Sequence, residues 1–180
     1  MEEELERLKN DTFVKTVYFP ELWRRESLTE DLAYFFGPEW KSQIHPSPAA
    51  KTYIARIREV AKSKPMLLLA HSYTRYLGDL SGGQILRNIA SRALGLKDGK
   101  GLSFYDFKAI PEAKPFKDRY RAALNELPLE LHDVLDVVKE ANLAFHLNMK
   151  MFEELDGGSL TGLRRWLFPF RFFRRAEEAV

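Results

Sequence analysis

Residues 75–90 read RYLGDLSGGQILRNIA, a strongly helical pattern that three glycines interrupt. Each glycine in a helix interior costs roughly 1 kcal/mol relative to alanine. Gly78 and Gly82 lie four residues apart, and therefore on one face of the helix, and Gly83 widens this bare strip. A bare strip lets a flat ligand or another backbone approach to contact distance, and the helix can kink there. The glycines alone favour neither a ligand surface nor close helix packing.

The polar residues around the glycines favour the ligand surface. Asp79 follows Arg75 by four residues and Tyr76 by three, so Arg75 and Asp79 can pair along the helix. Ser81 adds a hydroxyl group to the same region. A carboxylate, a guanidinium and a phenol beside a strip without side chains predict a small polar pocket over a larger apolar one. Such a pocket can hold ordered water next to a ligand.

Helices joined by proline- and glycine-marked turns account for the rest of the chain. Predicted helices cover residues 2–9, 29–36 with Thr29 as the N-cap, 48–62, 65–94, 112–127 and 128–156. Apolar spacing in the last helix predicts its buried stripe as Leu131, Val134, Leu135, Val138, Ala141, Asn142, Phe145, Met149 and Phe152. No segment of the sequence alternates with a period of two, so the predicted fold class is all-α.

The composition of the 180-residue chain is that of one ordinary soluble domain, with 45% hydrophobic and 30% charged residues. The chain has no cysteine, which excludes disulfides, thiolate metal sites and a cysteine nucleophile. Its net charge of +2, without a basic stripe outside the C-terminal tail, argues against nucleic acid as a partner. The acidic start is unlike a signal peptide. We therefore expect a cytoplasmic protein.

The last residues differ from the rest in composition. We predict a helical domain over residues 1–158 and a basic, aromatic tail over residues 159–180. Within the tail, residues 164–175 read RRWLFPFRFFRR, with aromatic residues between arginine pairs. This composition is typical of a segment that lies on an anionic membrane surface, and the segment is too short to span a bilayer. Packing back onto the domain is the alternative.

The glycine-rich helix and its flanks resemble a known family. Residues 71–96, HSYTRYLGDLSGGQILRNIASRALGL, resemble the signature of the animal-type heme oxygenases. The flanking matches are VYFPELWRRESLTEDLAYFFGPEW (17–40), FKDRYR (116–121) and ANLAFHLNMKMFEEL (141–155), in the order of the family. The resemblance covers about residues 2–155 and implies an all-α, multi-helix fold in which the glycine-rich helix is the kinked distal helix over heme.

The resemblance also implies an activity. Heme oxygenases cleave heme oxidatively to biliverdin, carbon monoxide and ferrous iron, with heme as both substrate and cofactor. They use O2 and electrons that an NADPH-dependent reductase supplies. Many animal members carry a carboxy-terminal membrane segment, so the tail suggests the cytoplasmic face of the endoplasmic reticulum as an alternative to a free cytoplasmic location.

Site roles carried over by position remain implications of this resemblance. Asp79 is implied to anchor the water that delivers protons, with Arg75, Tyr76, Tyr18 and Asn148 supporting it. Gly78, Gly82 and Gly83 are implied to form the backbone surface over the heme, and Ser81 lies beside it. Positions that face the heme propionates are Tyr73, Lys117 and Arg121, and positions on the apolar heme wall are Phe145 and Phe152.

The iron ligand is the one departure from the family. In heme oxygenases the proximal histidine lies on the first helix, upstream of the stretch that matches residues 1–9, and this chain has no residue there. Among its four histidines, His71 lies about two turns before Gly78 on a similar face, although the matching family residue is not the ligand. Two alternatives therefore stay open, a heme-binding protein without turnover and an interaction module that has lost heme.

Overall fold

The computed structural model describes residues 1–155, and every regular element among them is helical, as predicted. The α-helices are α1 (Glu2–Arg7), α2 (Arg25–Phe36), α3 (Trp40–Gln43), α4 (Pro48–Ser63), α5 (Leu68–Ser72), α6 (Gly78–Ala93), α7 (Ala113–Asn125) and α8 (Leu131–Leu155). Residues 156–180, which include the predicted tail, lie outside the described part. Within residues 1–155, none of the helices has the length and apolar character that a bilayer crossing requires.

Helix α4 begins and ends where its sequence predicts. The Ser47 side chain accepts a hydrogen bond from the backbone N–H of Ala50, and Pro48 occupies the first turn, where its missing N–H costs nothing. Tyr53, Ile57 and Val60 lie three or four residues apart and are buried. This face holds α4 against the centre of the molecule.

Helix α2 begins earlier than predicted. It starts at Arg25, so Thr29 is an interior residue and not the N-cap. The Thr29 hydroxyl donates to the Arg25 carbonyl one turn back, at 2.9 Å, which satisfies the side chain without capping anything. The predicted end is confirmed, because Gly37 has a φ of 77°, a left-handed value that glycine adopts without strain.

The predicted helix over residues 65–94 is divided into four parts. A 3₁₀ turn (Pro65–Leu67) leads into α5, a single π-helical turn (Tyr73–Leu77) follows, and α6 continues to Ala93. A π turn accommodates one extra residue and changes which side chains share a face across it. The interruption therefore falls directly before the glycine-rich strip, and Gly95 with a φ of 62° ends the run.

The core lies where α4, α5 and α8 meet. Its largest fully buried side chains include Leu5, Leu22, Leu68, Leu69, Val60, His71, Tyr76 and Tyr120. Burying an aliphatic side chain of this size stabilises a fold by about 1.5–3 kcal/mol. Helix α5 contributes the most completely buried segment, which fixes the start of the glycine-rich run relative to α4 and α8.

The predicted buried stripe of α8 is wrong. Leu131, Leu135, Val138 and Phe145 are 53–76% exposed, and Val134 is also exposed. The face that packs against α4 and α5 instead carries Glu140, Ala144 and Leu147, which are buried. Glu140 is tolerated there because Arg56 and His71 satisfy its carboxylate. The apolar spacing predicted one face of α8 to be buried. The polar partners of Glu140 on α4 and α5 instead turn a different face toward the core.

Candidate functional site

The glycine strip of α6 borders open space. Apart from the local helix backbone, no atom lies within 4 Å of the position that a β-carbon of Gly78 or Gly82 would occupy. Gly83 is buried, and its β-carbon would lie 3.6 Å from the Tyr105 ring. Close helix packing therefore does not explain Gly78 and Gly82. Their bare backbone is accessible to a flat ligand.

Asp79 lies between two guanidinium groups beside this strip. Its Oδ2 is 2.6 Å from Nη2 of Arg24 and 3.7 Å from Nη2 of Arg75. The predicted contact with Arg75 is present, but the contact with Arg24 is shorter and more buried. Side-chain exposure is 5% for Arg24 and 15% for Asp79, so water screens this pair weakly. The two arginines hold the carboxylate in one orientation.

Arg24 is a site residue that the sequence analysis missed. Its guanidinium lies 4.1 Å from the Phe104 ring centroid and 4.8 Å from that of Phe107, which are favourable cation–π distances. Arg24 precedes Asp79 by 55 residues, and helices α2 to α5 lie between the two in the sequence. No helical spacing links residues so far apart, and the only signal was its place within the matched stretch 17–40.

Arg75 and Asn148 are brought together as the resemblance implied. Nη1 of Arg75 donates to Oδ1 of Asn148 at 2.6 Å, across the interface between the π turn and α8. Nδ2 of Asn148 donates to the Ala144 carbonyl at 2.8 Å in its own helix. A polar group from α8 thus supports the guanidinium that approaches Asp79.

Two tyrosines assigned to the network donate their hydroxyl protons to carboxylates of α1. The Tyr76 hydroxyl donates to Glu2 at 3.2 Å, and burial raises the pKa of this phenol well above its ordinary value. The Tyr76 ring still lies under Arg24, at 5.5 Å from the guanidinium carbon. Tyr18 donates to Glu6 and has its ring against Trp23. Within residues 1–155 neither hydroxyl is bonded to Asp79, and the support of the network by Tyr18 and Tyr76 stays a prediction.

Of the three residues predicted to meet propionates, one lies next to the glycine strip. Nζ of Lys117 is 3.2 Å from Oγ of Ser81, so α7 brings an ammonium group next to the glycine strip. Tyr73 is 37% exposed, near the buried Tyr120 ring. Arg121 is exposed and contacts Asp118 at 3.4 Å. Lys117 is the cation placed best for an anionic group at this edge.

The two phenylalanines of the predicted heme wall are not deep core residues. Phe145 is 53% exposed, and Phe152 is half-buried. An exposed phenylalanine on a long helix is available to cover an apolar ligand. Their contact with a ligand stays a prediction.

His71 is not free to bind a metal in this structure. The side chain is fully buried, with Nε2 at 2.9 Å from Oε1 of Glu140 and Nδ1 at 3.4 Å from the Tyr53 hydroxyl. Both ring nitrogens therefore have partners in the core. His71 is therefore not available as an iron ligand in this structure, which corrects its selection as a candidate.

The other histidines are at the surface. His45 and His146 are exposed, and His132 lies between Glu130 and Asp133 with 69% of its side chain exposed. Over residues 1–155 we find no group of three or more histidine, cysteine or carboxylate side chains that could hold a metal ion.

Two cavities adjoin this region and differ in chemistry. One of about 440 Å³ is lined by three arginines (Arg24, Arg25 and Arg75), the carboxylates Glu2 and Glu3, two tyrosines (Tyr53 and Tyr76) and apolar side chains. The other, of about 630 Å³, is lined mainly by carboxylates from α1 and α2, including Glu2, Glu6 and Glu26. An anionic ligand would be repelled from the second cavity. The first adjoins the Arg24 and Arg75 groups that hold Asp79.

Comparison with known proteins identifies the family. The profile of the heme oxygenase family matches residues 1–154. Heme oxygenase of Pyropia yezoensis is 54% identical over 160 residues, which are 89% of this chain and 67% of that protein. Heme oxygenase 1 of Nostoc is 48% identical over 180 residues, which are 100% of this chain and 76% of that protein.

Solved structures agree with the sequence relatives. The crystal structure of heme oxygenase-1 from the cyanobacterium Synechocystis in complex with heme superposes with a TM-score of 0.85 at 47% identity, over 93% of this chain and 75% of that one. Heme oxygenase 2 of Macaca fascicularis is 47% identical over 169 residues, which are 93% of this chain and 54% of that protein. Relatives from such different sources specify the family and not an animal subtype. From its sequence and its fold, the chain belongs to the heme oxygenase family.

Proposed function

We propose that this chain acts as a heme oxygenase, cleaving heme to biliverdin, carbon monoxide and ferrous iron. The observation that carries the proposal is the open backbone at Gly78 and Gly82, directly beside a carboxylate held by two arginines. A flat, mostly apolar macrocycle fits a surface without side chains. Its carboxylate-bearing edge suits the Lys117 ammonium at the rim.

Asp79 is proposed to hold water at the edge of this surface. A carboxylate accepts hydrogen bonds, and two flanking guanidinium groups prevent it from turning away. A water molecule fixed in this way is a positioned proton donor, which general acid catalysis requires. Arg75 is in turn held by Asn148. The chain's own contribution is thus a fixed proton source beside the substrate.

The remaining components are proposals by family resemblance. When bound, heme would supply the iron for O2 chemistry, with electrons from an NADPH-dependent reductase. Tyr73 and Arg121 are proposed to join Lys117 at the propionates, and Phe145 and Phe152 to cover the macrocycle. The proposal assigns no iron ligand within residues 1–155.

A membrane contact through residues 164–175 also remains a proposal. The arginine pairs and aromatic residues of this segment favour anionic lipid, and the segment lies outside the described residues. Co-sedimentation with vesicles of anionic and of neutral lipid tests it. Equal recovery from both kinds of vesicle would argue against an electrostatic membrane contact.

The test of the proposed function is a comparison of Asp79→Ala with Asp136→Asn. Asp136 is a surface carboxylate near the start of α8 that pairs with Lys64 at 2.6 Å, and it serves as the control. We expect Asp79→Ala to bind hemin nearly as well as the wild type and to form biliverdin about 10²-fold more slowly, the usual loss on removing an acid–base group. Asp136→Asn should match the wild type.

Hemin absorbance titrations and the biliverdin band after addition of reductant measure both quantities. Normal biliverdin formation by Asp79→Ala would refute the role of Asp79. Hemin binding without product in the wild type would support the heme-binding alternative, and absence of binding would support an interaction module.

A further inference from the structure

A row of hydrogen-bonded side chains runs from the candidate site into the core. Its members lie on the π turn, α8, α4 and α5. In order from the site, its members are Arg75, Asn148, Tyr53, His71, Glu140 and Arg56. Arg75 and Asn148 belong to the site described above, and Tyr53 lines the 440 Å³ cavity beside it.

The far end of the row is an ion pair between the buried Glu140 and the partly exposed Arg56. Arg56 donates from Nε to Oε1 of Glu140 at 2.9 Å and from Nη2 to Oε2 at 2.5 Å. Burial alone would raise the pKa of Glu140, but its hydrogen bonds to Arg56 and His71 and the positive charge of Arg56 outweigh burial and lower it. Glu140 is therefore a carboxylate, which accepts hydrogen bonds and donates none.

This carboxylate determines the proton position on His71. Burial lowers the pKa of the imidazole, although Glu140 opposes the shift, so the ring is neutral and has one N–H. Nε2 faces Oε1 of Glu140 at 2.9 Å, and only a protonated Nε2 makes a hydrogen bond there. Nδ1 is then left with a lone pair.

The tautomer of His71 determines the direction of the next links. The Tyr53 hydroxyl, 3.4 Å from Nδ1, donates its proton to that lone pair. Burial raises the pKa of Tyr53, so the phenol retains this proton. Its oxygen can then accept from Nδ2 of Asn148, also at 3.4 Å. If the Tyr53 hydroxyl instead pointed its proton at Nδ2 of Asn148, two donors would face each other and no hydrogen bond would form.

Asn148 thereby has both amide hydrogens engaged. One is donated to Tyr53 and the other to the Ala144 carbonyl, so the plane of the amide is defined by two acceptors. Oδ1 is consequently directed at Nη1 of Arg75, which it meets at 2.6 Å. Every link from Arg75 to Glu140 has a single direction.

We infer that His71 and Glu140 are positioning residues, which fix the amide of Asn148 and so hold Arg75 beside Asp79. They act through Tyr53 and touch neither the glycine strip nor Asp79. The consequence for catalysis rests on the proposed function, but the arrangement itself is a property of the heme-free chain.

The first measurement is the protonation state of His71 in the full, heme-free chain. Long-range ¹H–¹⁵N NMR distinguishes the two neutral tautomers and the imidazolium. We expect the Nε2–H tautomer at pH 7. An Nδ1–H tautomer or an imidazolium would overturn the inference.

The second measurement compares three variants through the Arg75 guanidinium signals. The hydrogen bond to Asn148 should make rotation of the Arg75 Nη groups slow in the wild type. His71→Gln should retain this slow rotation, because glutamine can donate an amide N–H to Glu140 and accept from Tyr53. His71→Leu and Tyr53→Phe break the row and should speed that rotation several-fold. If the Arg75 signals are unchanged in both variants, His71 only stabilises the core and the inference fails. A lower stability of His71→Leu would not rescue it, because Tyr53→Phe breaks the row and leaves the His71–Glu140–Arg56 contacts intact.

The third measurement links the row to turnover. His71→Leu and Tyr53→Phe should lower kcat for hemin by roughly tenfold with little change in KM, and His71→Gln should restore it, a loss typical of residues that orient active groups. Unchanged kcat in both breaking variants would overturn the catalytic part. A wild type without turnover would refute the proposed function and leave the NMR results unaffected.

Discussion

At the scale of single residues, Arg24 shows how a site can depend on a side chain that local spacing does not reveal. Asp79 and Arg75 lie one helical turn apart, so their sequence predicts their contact. Arg24 reaches Asp79 only because the fold brings the start of α2 against α6. Its position over Phe104 and Phe107 provides further contacts for a charge that is almost entirely buried.

Arg24→Met should therefore be strongly destabilising. It leaves the carboxylate of Asp79 without its closest partner, and breaking a buried pair in this way costs about 3–5 kcal/mol. Arg25→Met is the matched control, because Arg25 pairs with Glu3 while 71% exposed, and such pairs contribute about 0–1 kcal/mol. Urea unfolding of both variants measures the difference. Similar losses in the two would show that the Arg24–Asp79 pair is not important for stability.

His71 should make stability depend on pH below neutrality. Because burial lowers the folded-state pKa of this imidazole below 6.5, the unfolded chain takes up a proton first as the pH falls. Its contribution is complete above pH 6.5 and is lost below it, by up to about 1.4 kcal/mol per pH unit. The lowered pKa of Glu140 adds a second loss that begins below 4.5. Urea unfolding between pH 5 and 7.5 should show a slope in the wild type that is absent in His71→Gln; equal slopes would contradict it.

At the scale of elements, the helices differ in how well their sequence specifies them. The Ser47 cap and Pro48 determine the start of α4, and Gly37 and Gly95 determine two helix ends, so these boundaries could be predicted. Thr29 was misassigned because a threonine before an apolar stretch suits both a cap and an interior position. The π turn was not foreseen, since residues 73–77 contain no proline or glycine.

Gly82→Ala tests whether glycine at this position lowers the stability of α6 while keeping its backbone accessible to heme. A β-carbon at Gly82 meets no neighbouring atom, so alanine should stabilise the folded state by about 0.4–1 kcal/mol. The same β-carbon would project into the proposed heme surface, and hemin affinity should fall. Asn88→Ala, exposed on the same helix, should also stabilise the protein but leave hemin affinity unchanged. Thermal unfolding and hemin titration check both; unaltered hemin binding by Gly82→Ala would place the heme elsewhere.

At the scale of the whole molecule, α8 shows where prediction from sequence fails. The fold class and the glycine surface follow from residue types at short spacing. The covered face of α8 does not, because it depends on Arg56 and His71, which meet Glu140 from other helices. As a result, an apolar stripe of α8 is exposed and Glu140 is buried, the reverse of what hydrophobicity alone predicts.

Two leucines of α8 provide a direct test of this orientation. Leu147→Ala should cost about 2–5 kcal/mol, because Leu147 is buried in the core. Leu135→Ala should change the free energy of unfolding by no more than about 0.5 kcal/mol, because Leu135 is 60% exposed. Chemical denaturation of both variants distinguishes the two faces. The reverse order of losses would mean that α8 is rotated relative to the structure described.

The π turn at Tyr73–Leu77 determines the direction in which the side chains of α6 point relative to those of α5. A helical residue advances the chain by about 100° around the axis. Deleting one residue from this turn would therefore swing Gly78, Gly82 and Asp79 by roughly a quarter of a revolution relative to α5. Even if every helix still formed, the open glycine strip of α6 would face in a different direction.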